Sequence, residues 1–248
     1  MRNELFSVLG GFLSANLLGG NASERGEIVK RSTEVDAKNF EYQIYVPPQA
    51  KVSENLPVIV FLHGIRERGT GGIIPTEGGL AAFIKQYFKQ IPAIILLPQC
   101  RPGSYWSDPV MEQMVLQELG ETIKEFNADS KRLYLLGVSM GGYGVWHFAS
   151  HHAEKFAALV SICGGSSVLN GDRFSTIARK VGKTPVWLFH GAEDKVVPVS
   201  ESRELAKALK ENQGDVKYNE YKGVGHNVWM NVLAEKDLMP WLLSQKLK

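Results

Sequence analysis

Cysteine is scarce in this sequence: Cys100 and Cys163 are the only two in 248 residues. Two cysteines cannot make a disulfide framework, and neither sits in a C-x-x-C pair, so neither a redox motif nor a zinc site is expected of them. Charge of one sign is scarce too. The formal net charge is +2, no Lys/Arg run forms a basic tail, and RNP, zinc-finger and helix-turn-helix signatures are missing. Nucleic acid is therefore not an expected partner. Glycines at Gly71–Gly72 and Gly78–Gly79 lack the Lys-Ser/Thr of a P-loop. No G-x-G-x-x-G follows the first buried strand run, so no nucleotide cofactor is expected. His147 and His151 stand i, i+4, but Phe148 occupies the place where H-E-x-x-H needs glutamate. The pair reads as a solvated helix face, and no metal is expected.

Long hydrophobic runs are also missing. The longest candidate, Leu5–Leu18, is too short to span a bilayer. It follows Arg2 and precedes Gly20-Asn21-Ala22, as a secretory signal would, but Glu4, Asn16 and two glycines dilute it. Two readings stay open. If residues 1–22 are a cleaved signal, the protein is secreted or periplasmic. If residues 1–26 are a short amphipathic helix packed on the domain, it is cytoplasmic.

From residue 27 to 248 strand-like and helix-like stretches alternate, without repeats or a linker, which predicts one α/β domain. Phe40–Val46 alternates apolar residues with Glu41, Gln43 and Tyr45, so one face is expected to be wet. Val58–Leu62, Ala93–Leu97, Leu133–Leu136, Ala157–Cys163 and Val186–Phe189 are nearly continuous apolar runs. Strands covered on both faces read this way, and they belong to a parallel sheet. Val216–Tyr221 is more polar and suits an edge. Apolar stripes predict helices at Leu80–Phe88, Met111–Phe126 and around Leu205–Leu209, and a C-terminal helix interrupted near Pro240.

Gly137-Val138-Ser139-Met140-Gly141 is G-x-S-x-G, directly after a buried strand and directly before a helical stretch. That setting is what a nucleophile elbow needs, with Ser139 in a strained turn and small residues two before and two after it. A serine hydroxyl attacks only if a base removes its proton. Of six histidines, His226 lies in a glycine-flanked loop after the edge strand and is the candidate base. His63 and His190 close strands before a glycine and are expected to brace loops. The acid that orients the base is sought just beyond Val186–Phe189, where Asp194 and its rival Glu193 both stand; the order Ser139, Asp194, His226 is that of α/β-hydrolases. The N–H groups of Met140 and Ile65 are the candidate oxyanion donors. Trp106 and Trp229 are pocket candidates. Cys100 and Cys163 close strands about 14 Å apart at ordinary strand spacing, so they are expected as free thiols near the cleft rim.

The segments LHGIRERG (62–69), LLPQC (96–100), YWSD (105–108), GVSMGGYGVW (137–146), SICGG (161–165), FHGAEDKVVP (189–198) and YKGVGHNVW (221–229) together resemble the α/β-hydrolase superfamily. Within it they are similar to the small carboxylesterases of the phospholipase/carboxylesterase and dienelactone-hydrolase-like group. The resemblance implies a mostly parallel, doubly wound sheet with an antiparallel N-terminal portion. It also implies Asp194 as the triad acid and an oxyanion donor at Ile65. Arg66 departs from the small residue common in that loop.

The expected activity is cofactor-free hydrolysis of small or polymeric carboxylic esters through an acyl-enzyme. Peptidase, thioesterase and polyester depolymerase activities use the same triad and stay open. Residues 164–185 hold one expected helix, Arg173–Val181, which leaves no room for a large cap. An open cleft predicts short- to medium-chain acyl groups.

Overall fold

Alternating apolar residues build the first hairpin, β1 (Glu27–Val35) and β2 (Lys38–Val46), joined at Asp36 and Ala37, both with positive φ. A computed structural model describes residues 26–51, 55–71, 91–166 and 172–248. The N-terminal segment and the stripe at Leu80–Phe88 lie outside these residues. Phe40, Tyr42, Ile44 and Val46 of β2 are buried as their spacing predicts. Tyr45, expected on the wet face, is buried as well, because β2 is an inner strand and the far core covers this end.

The strands β3 (Val58–Leu62), β4 (Ile94–Leu97), β5 (Leu133–Val138), β6 (Ala158–Ile162), β7 (Val186–Gly191) and β8 (Val216–Tyr221) complete an eight-stranded sheet of order β1-β2-β4-β3-β5-β6-β7-β8. The pairs β1–β2 and β2–β4 are antiparallel, and every other pair is parallel. The apolar runs of β3, β4 and β6 are buried along their full length. Successive side chains serve opposite faces of the sheet, as pleating requires. Val58, Val60 and Leu62 face one core, while Ile59 and Phe61 face the other.

The first core is roofed by α1 (Pro109–Phe126), α2 (Met140–His152), α3 (Arg173–Val181) and α4 (Ser200–Glu211). Val232, Leu238 and Leu242, from α5 (Trp229–Val232) and α6 (Leu238–Ser244), pack into the second. Pro240 does not interrupt a helix. It sits in the first turn of α6, where its missing N–H and fixed φ are tolerated, and the break falls earlier, between Val232 and Leu238. No helix among the described residues is long and apolar enough to cross a membrane.

A carboxylic acid lies deep in this framework. Glu118 of α1 is fully buried, and both its carboxylate oxygens lack a hydrogen-bond partner among the described residues. Burial, reinforced by the nearby Glu121 charge, raises its pKa well above the ordinary carboxylate value. The side chain is therefore held in its neutral form.

Candidate active site

The strand β5 delivers Ser139 to the carboxyl edge of the sheet, and α2 carries the chain away from it. Between them Ser139 has φ 55° and ψ −116°, a conformation costly for a residue with a Cβ. The turn is locked by Ser139 N–H donating to Ile162 O (2.9 Å) and Tyr143 N–H donating to Ser139 O (3.1 Å). The flanking glycines are sterically required. A Cβ on Gly137 would lie 2.2 Å from Gly141 O, and one on Gly141 would lie 1.9 Å from Leu62 O.

Three sequence candidates meet here in one hydrogen-bonded chain. His226 Nε2 lies 2.9 Å from Ser139 Oγ, and His226 Nδ1 lies 2.7 Å from Asp194 Oδ2. An ionised carboxylate only accepts, so Nδ1 carries the proton and Nε2 offers its lone pair to the serine hydroxyl. The Asp194 side chain is inaccessible to solvent. Burial alone would raise its pKa, but the His226 hydrogen bond and the Val197 and Val196 N–H groups outweigh it, so the net shift is downward. Those two N–H groups reach Oδ1 at 2.9 and 2.8 Å. Glu193, the rival acid, is exposed, and its N–H is engaged by Val224 O.

The other two strand-end histidines are fully buried braces. His63 Nδ1 donates to Gly64 O (2.7 Å), and His63 Nε2 accepts the Cys100 N–H (3.0 Å). Burial pushes its pKa down to about 4, so the ring stays neutral. His190 Nε2 donates to Val197 O (3.0 Å), and its Nδ1 accepts from Ser202 Oγ (2.7 Å). The same Nε2 stands 3.3 Å from Asp194 Oδ2. His190 thus steadies the loop that carries Asp194.

Ile65 and Met140 each open a helical turn, the first in the short 3-10 turn Ile65–Glu67 and the second in α2. First-turn N–H groups have no intrahelical acceptor, and neither of these two has a protein acceptor among the described residues. Their loops converge on Ser139: a Cβ on Gly64 would come within 3.8 Å of Ser139 Cβ.

Beside Ser139 opens a pocket of about 260 Å³, lined chiefly by Ile65, Tyr105, Trp106, Met140, Tyr143 and Val196. Trp106 is a fixed part of this wall, buried and donating Nε1–H to His63 O (3.0 Å). Trp229 stands elsewhere. Its ring meets His226 edge-on at 5.8 Å and packs on the second core. Tyr105, Tyr143 and Val196 went unnoticed in the sequence. Tyr143 was in reach, because it lies one helical turn after Ser139 and so shares its face of α2.

The thiols are not exposed at the cleft rim, although Cys163 lies beside the triad, within 4.8 Å of donor atoms of Asp194 and His226. Cys100 and Cys163 are both free and wholly buried. Desolvation pushes the Cys100 thiol up to about 11 and Cys163 further in the same direction, so neither is a thiolate near neutrality.

An elbow serine, a histidine and a buried aspartate at the carboxyl edge of a mostly parallel sheet define the α/β-hydrolase class. More narrowly, the chain belongs to the phospholipase/carboxylesterase family, whose model matches residues 106–236. It is 27% identical over 187 residues to the bifunctional acetylxylan esterase/xylanase XynS20E of Neocallimastix patriciarum, covering 72% of this chain and 26% of that protein. It is 25% identical over 212 residues to acyl-protein thioesterase 1 of Gibberella zeae, covering 74% of this chain and 88% of that one. Among solved structures, a thermostable esterase superposes with a TM-score of 0.77 at 30% identity, covering 88% of this chain and 63% of the other. The chain thus spans about a quarter of the first relative and under two thirds of the solved esterase.

Proposed function

We propose that the protein is a serine carboxylesterase that hydrolyses short- to medium-chain carboxylic esters through an acyl-enzyme. The observation that carries this reading is the 2.9 Å contact between Ser139 Oγ and His226 Nε2, backed by the 2.7 Å contact to Asp194. His226 Nε2 takes the hydroxyl proton as Ser139 Oγ bonds to the ester carbonyl carbon. The carbonyl electron pair moves onto oxygen, which the N–H groups of Ile65 and Met140 receive. Collapse of this intermediate breaks the bond to the alcohol oxygen, which leaves with the proton now on Nε2. Water, deprotonated by the same nitrogen, then attacks the acyl carbon and releases the acid.

Pocket size supports the choice of acyl group. About 260 Å³ falls just below the roughly 300–1,000 Å³ of ordinary ligand pockets. The aromatic wall of Tyr105, Trp106 and Tyr143 favours a compact apolar acyl group over a long chain. A panel of p-nitrophenyl esters from acetyl to palmitoyl tests the proposal, alongside the matching thioesters and a peptide anilide. The expected profile is highest kcat/KM from acetyl to hexanoyl with Ser139→Ala inactive throughout. A maximum on the anilide, or on palmitoyl, overturns it.

A further inference from the structure

A second constellation lies near the far end of the helix that Ser139 introduces. His147 and His151 occupy successive turns of α2, with ring centroids 4.5 Å apart. Glu112, from the first turn of α1, meets them from the neighbouring helix. Its Oε2 is 2.7 Å from His147 Nε2, and its Oε1 is 2.6 Å from His152 Nε2. A carboxylate oxygen of Glu112 and one ring nitrogen each of His147 and His151 all lie within 4.8 Å of one another. H-E-x-x-H draws its glutamate from the same helix as its histidines. Here the carboxylate comes from another helix, which a search for that local pattern passes over.

We propose that Glu112, His147 and His151 bind a divalent first-row transition ion of the Zn²⁺ type. Tautomers and surroundings suit that role. His151 Nδ1 lies 2.9 Å from His147 O, and a carbonyl only accepts, so Nδ1 bears the proton and Nε2 keeps its lone pair. Such a backbone hydrogen bond is the usual outer support of a ligating imidazole. His152 plays the matching part for the carboxylate, holding Oε1 and leaving Oε2 to the ion. His147 is half-buried and His151 is exposed, so the site is supported on one side and open to solvent on the other.

Two imidazoles and one carboxylate favour zinc, copper, nickel or cobalt over calcium or magnesium. Tetrahedral binding with bonds of about 2.0–2.1 Å separates ligand atoms by about 3.3 Å. The Glu112–His147 contact must therefore open by about half an ångström while His151 closes in. The proton on His147 Nε2 moves to Nδ1 as Nε2 takes the ion, so no proton is lost, and water fills the fourth position.

His147 is eight residues along α2 from Ser139, about 12 Å at helical rise, so the ion takes no part in bond cleavage. Its effect is mechanical. Glu112 lies just beyond the Tyr105–Ser107 segment of the pocket wall, and an ion there clamps the start of α1 to the end of α2.

The test is calorimetric titration of the full chain with Zn²⁺ alone. It is done in a His226→Ala background, because Cys163, Asp194 and His226 offer a second close set of donors. One ion per chain is expected. Affinity should fall at least about tenfold on adding His151→Ala, and likewise with Glu112→Gln. Thermal scans should show Zn²⁺ raising the melting temperature of the His226→Ala chain but not of the His226→Ala/His151→Ala double variant. His151 is exposed, so its removal spares the fold, and the metal-free melting temperature verifies this. Undiminished Zn²⁺ affinity in the His151→Ala variant overturns the proposal, and so does a parent chain that takes up no ion below about 1 mM.

Discussion

Gly141 packs directly against the backbone of Leu62, so closely that a Cβ added to it would sit 1.9 Å from the Leu62 carbonyl oxygen. The contact joins the first turn of α2 to the end of β3, and Gly64 and Ile65 follow immediately after it. Distance between Ser139 and the neighbouring loop is thereby set by backbone touching backbone, with no side chain to yield.

Gly141→Ala should accordingly be severe. Backbone cannot move aside as a flexible side chain would, so a loss of about 4 kcal/mol or more is expected, at the extreme of single-substitution effects. Urea unfolding against wild type measures it. A variant within about 1 kcal/mol of wild type would show that the elbow tolerates a looser fit than its geometry implies.

Asp194→Asn should lower kcat on the order of 10⁴-fold, because an amide no longer fixes the proton on His226 Nδ1. Glu193→Gln should leave kcat within about twofold, since Glu193 is exposed while Asp194 holds the His226 ring. Steady-state kinetics on one activated ester decides between them, and the reverse pattern would transfer the acid's role to Glu193.

Glu118 predicts a pH dependence of stability. Its folded pKa is raised, so the native chain keeps a proton that the unfolded chain releases. Its contribution is full below the unfolded carboxylate value of about 4.3 and is lost as pH climbs above it. Glu118→Met, close in volume and free of the charge, should therefore stabilise the protein at pH 8 by at least about 1 kcal/mol. The gain should shrink toward pH 4.5. Denaturant midpoints at the two pH values are the measurement, and a gain independent of pH would mean that Glu118 is already ionised in the native state.

Tyr143→Ala should enlarge the pocket from inside. Octanoyl esters should gain in kcat/KM relative to acetyl esters by about tenfold, the scale of one or two methylenes gaining burial. An unchanged chain-length profile would mean that the acyl group lies along another wall.

Much of this architecture was legible in the sequence for physical reasons. The bounds of β3 and β8 follow from their composition, because an unbroken apolar run needs cover on both faces and a charged run needs an open edge. Ser139, Asp194 and His226 could be singled out because each stands where a strand ends. Legibility failed where tertiary contact decides. Tyr45 looks like a wet position until β4 and the far core cover it. Pro240 signals a break from sequence alone, yet a helix can begin there. Trp229 follows His226 in the chain but turns its ring to the second core. Glu118 occupies a helical position like its acidic neighbours, and only packing reveals that water cannot reach it. Glu112 gains its partners from a helix thirty-five residues further along the chain.

An open sheet also has two margins where a foreign strand could add itself. On β8, Lys217 lays its stem toward Trp187 and holds its ammonium 4.5 Å from that ring's centroid and 5.6 Å from that of Trp241. At the opposite margin Arg31 of β1 is tied to Glu125. A newcomer would have to strip water from the Lys217 ammonium at one border, or from the Arg31–Glu125 ion pair at the other, before gaining any ladder hydrogen bond. The same lysine that shields an indole from solvent thus also guards the molecule against edge-to-edge aggregation.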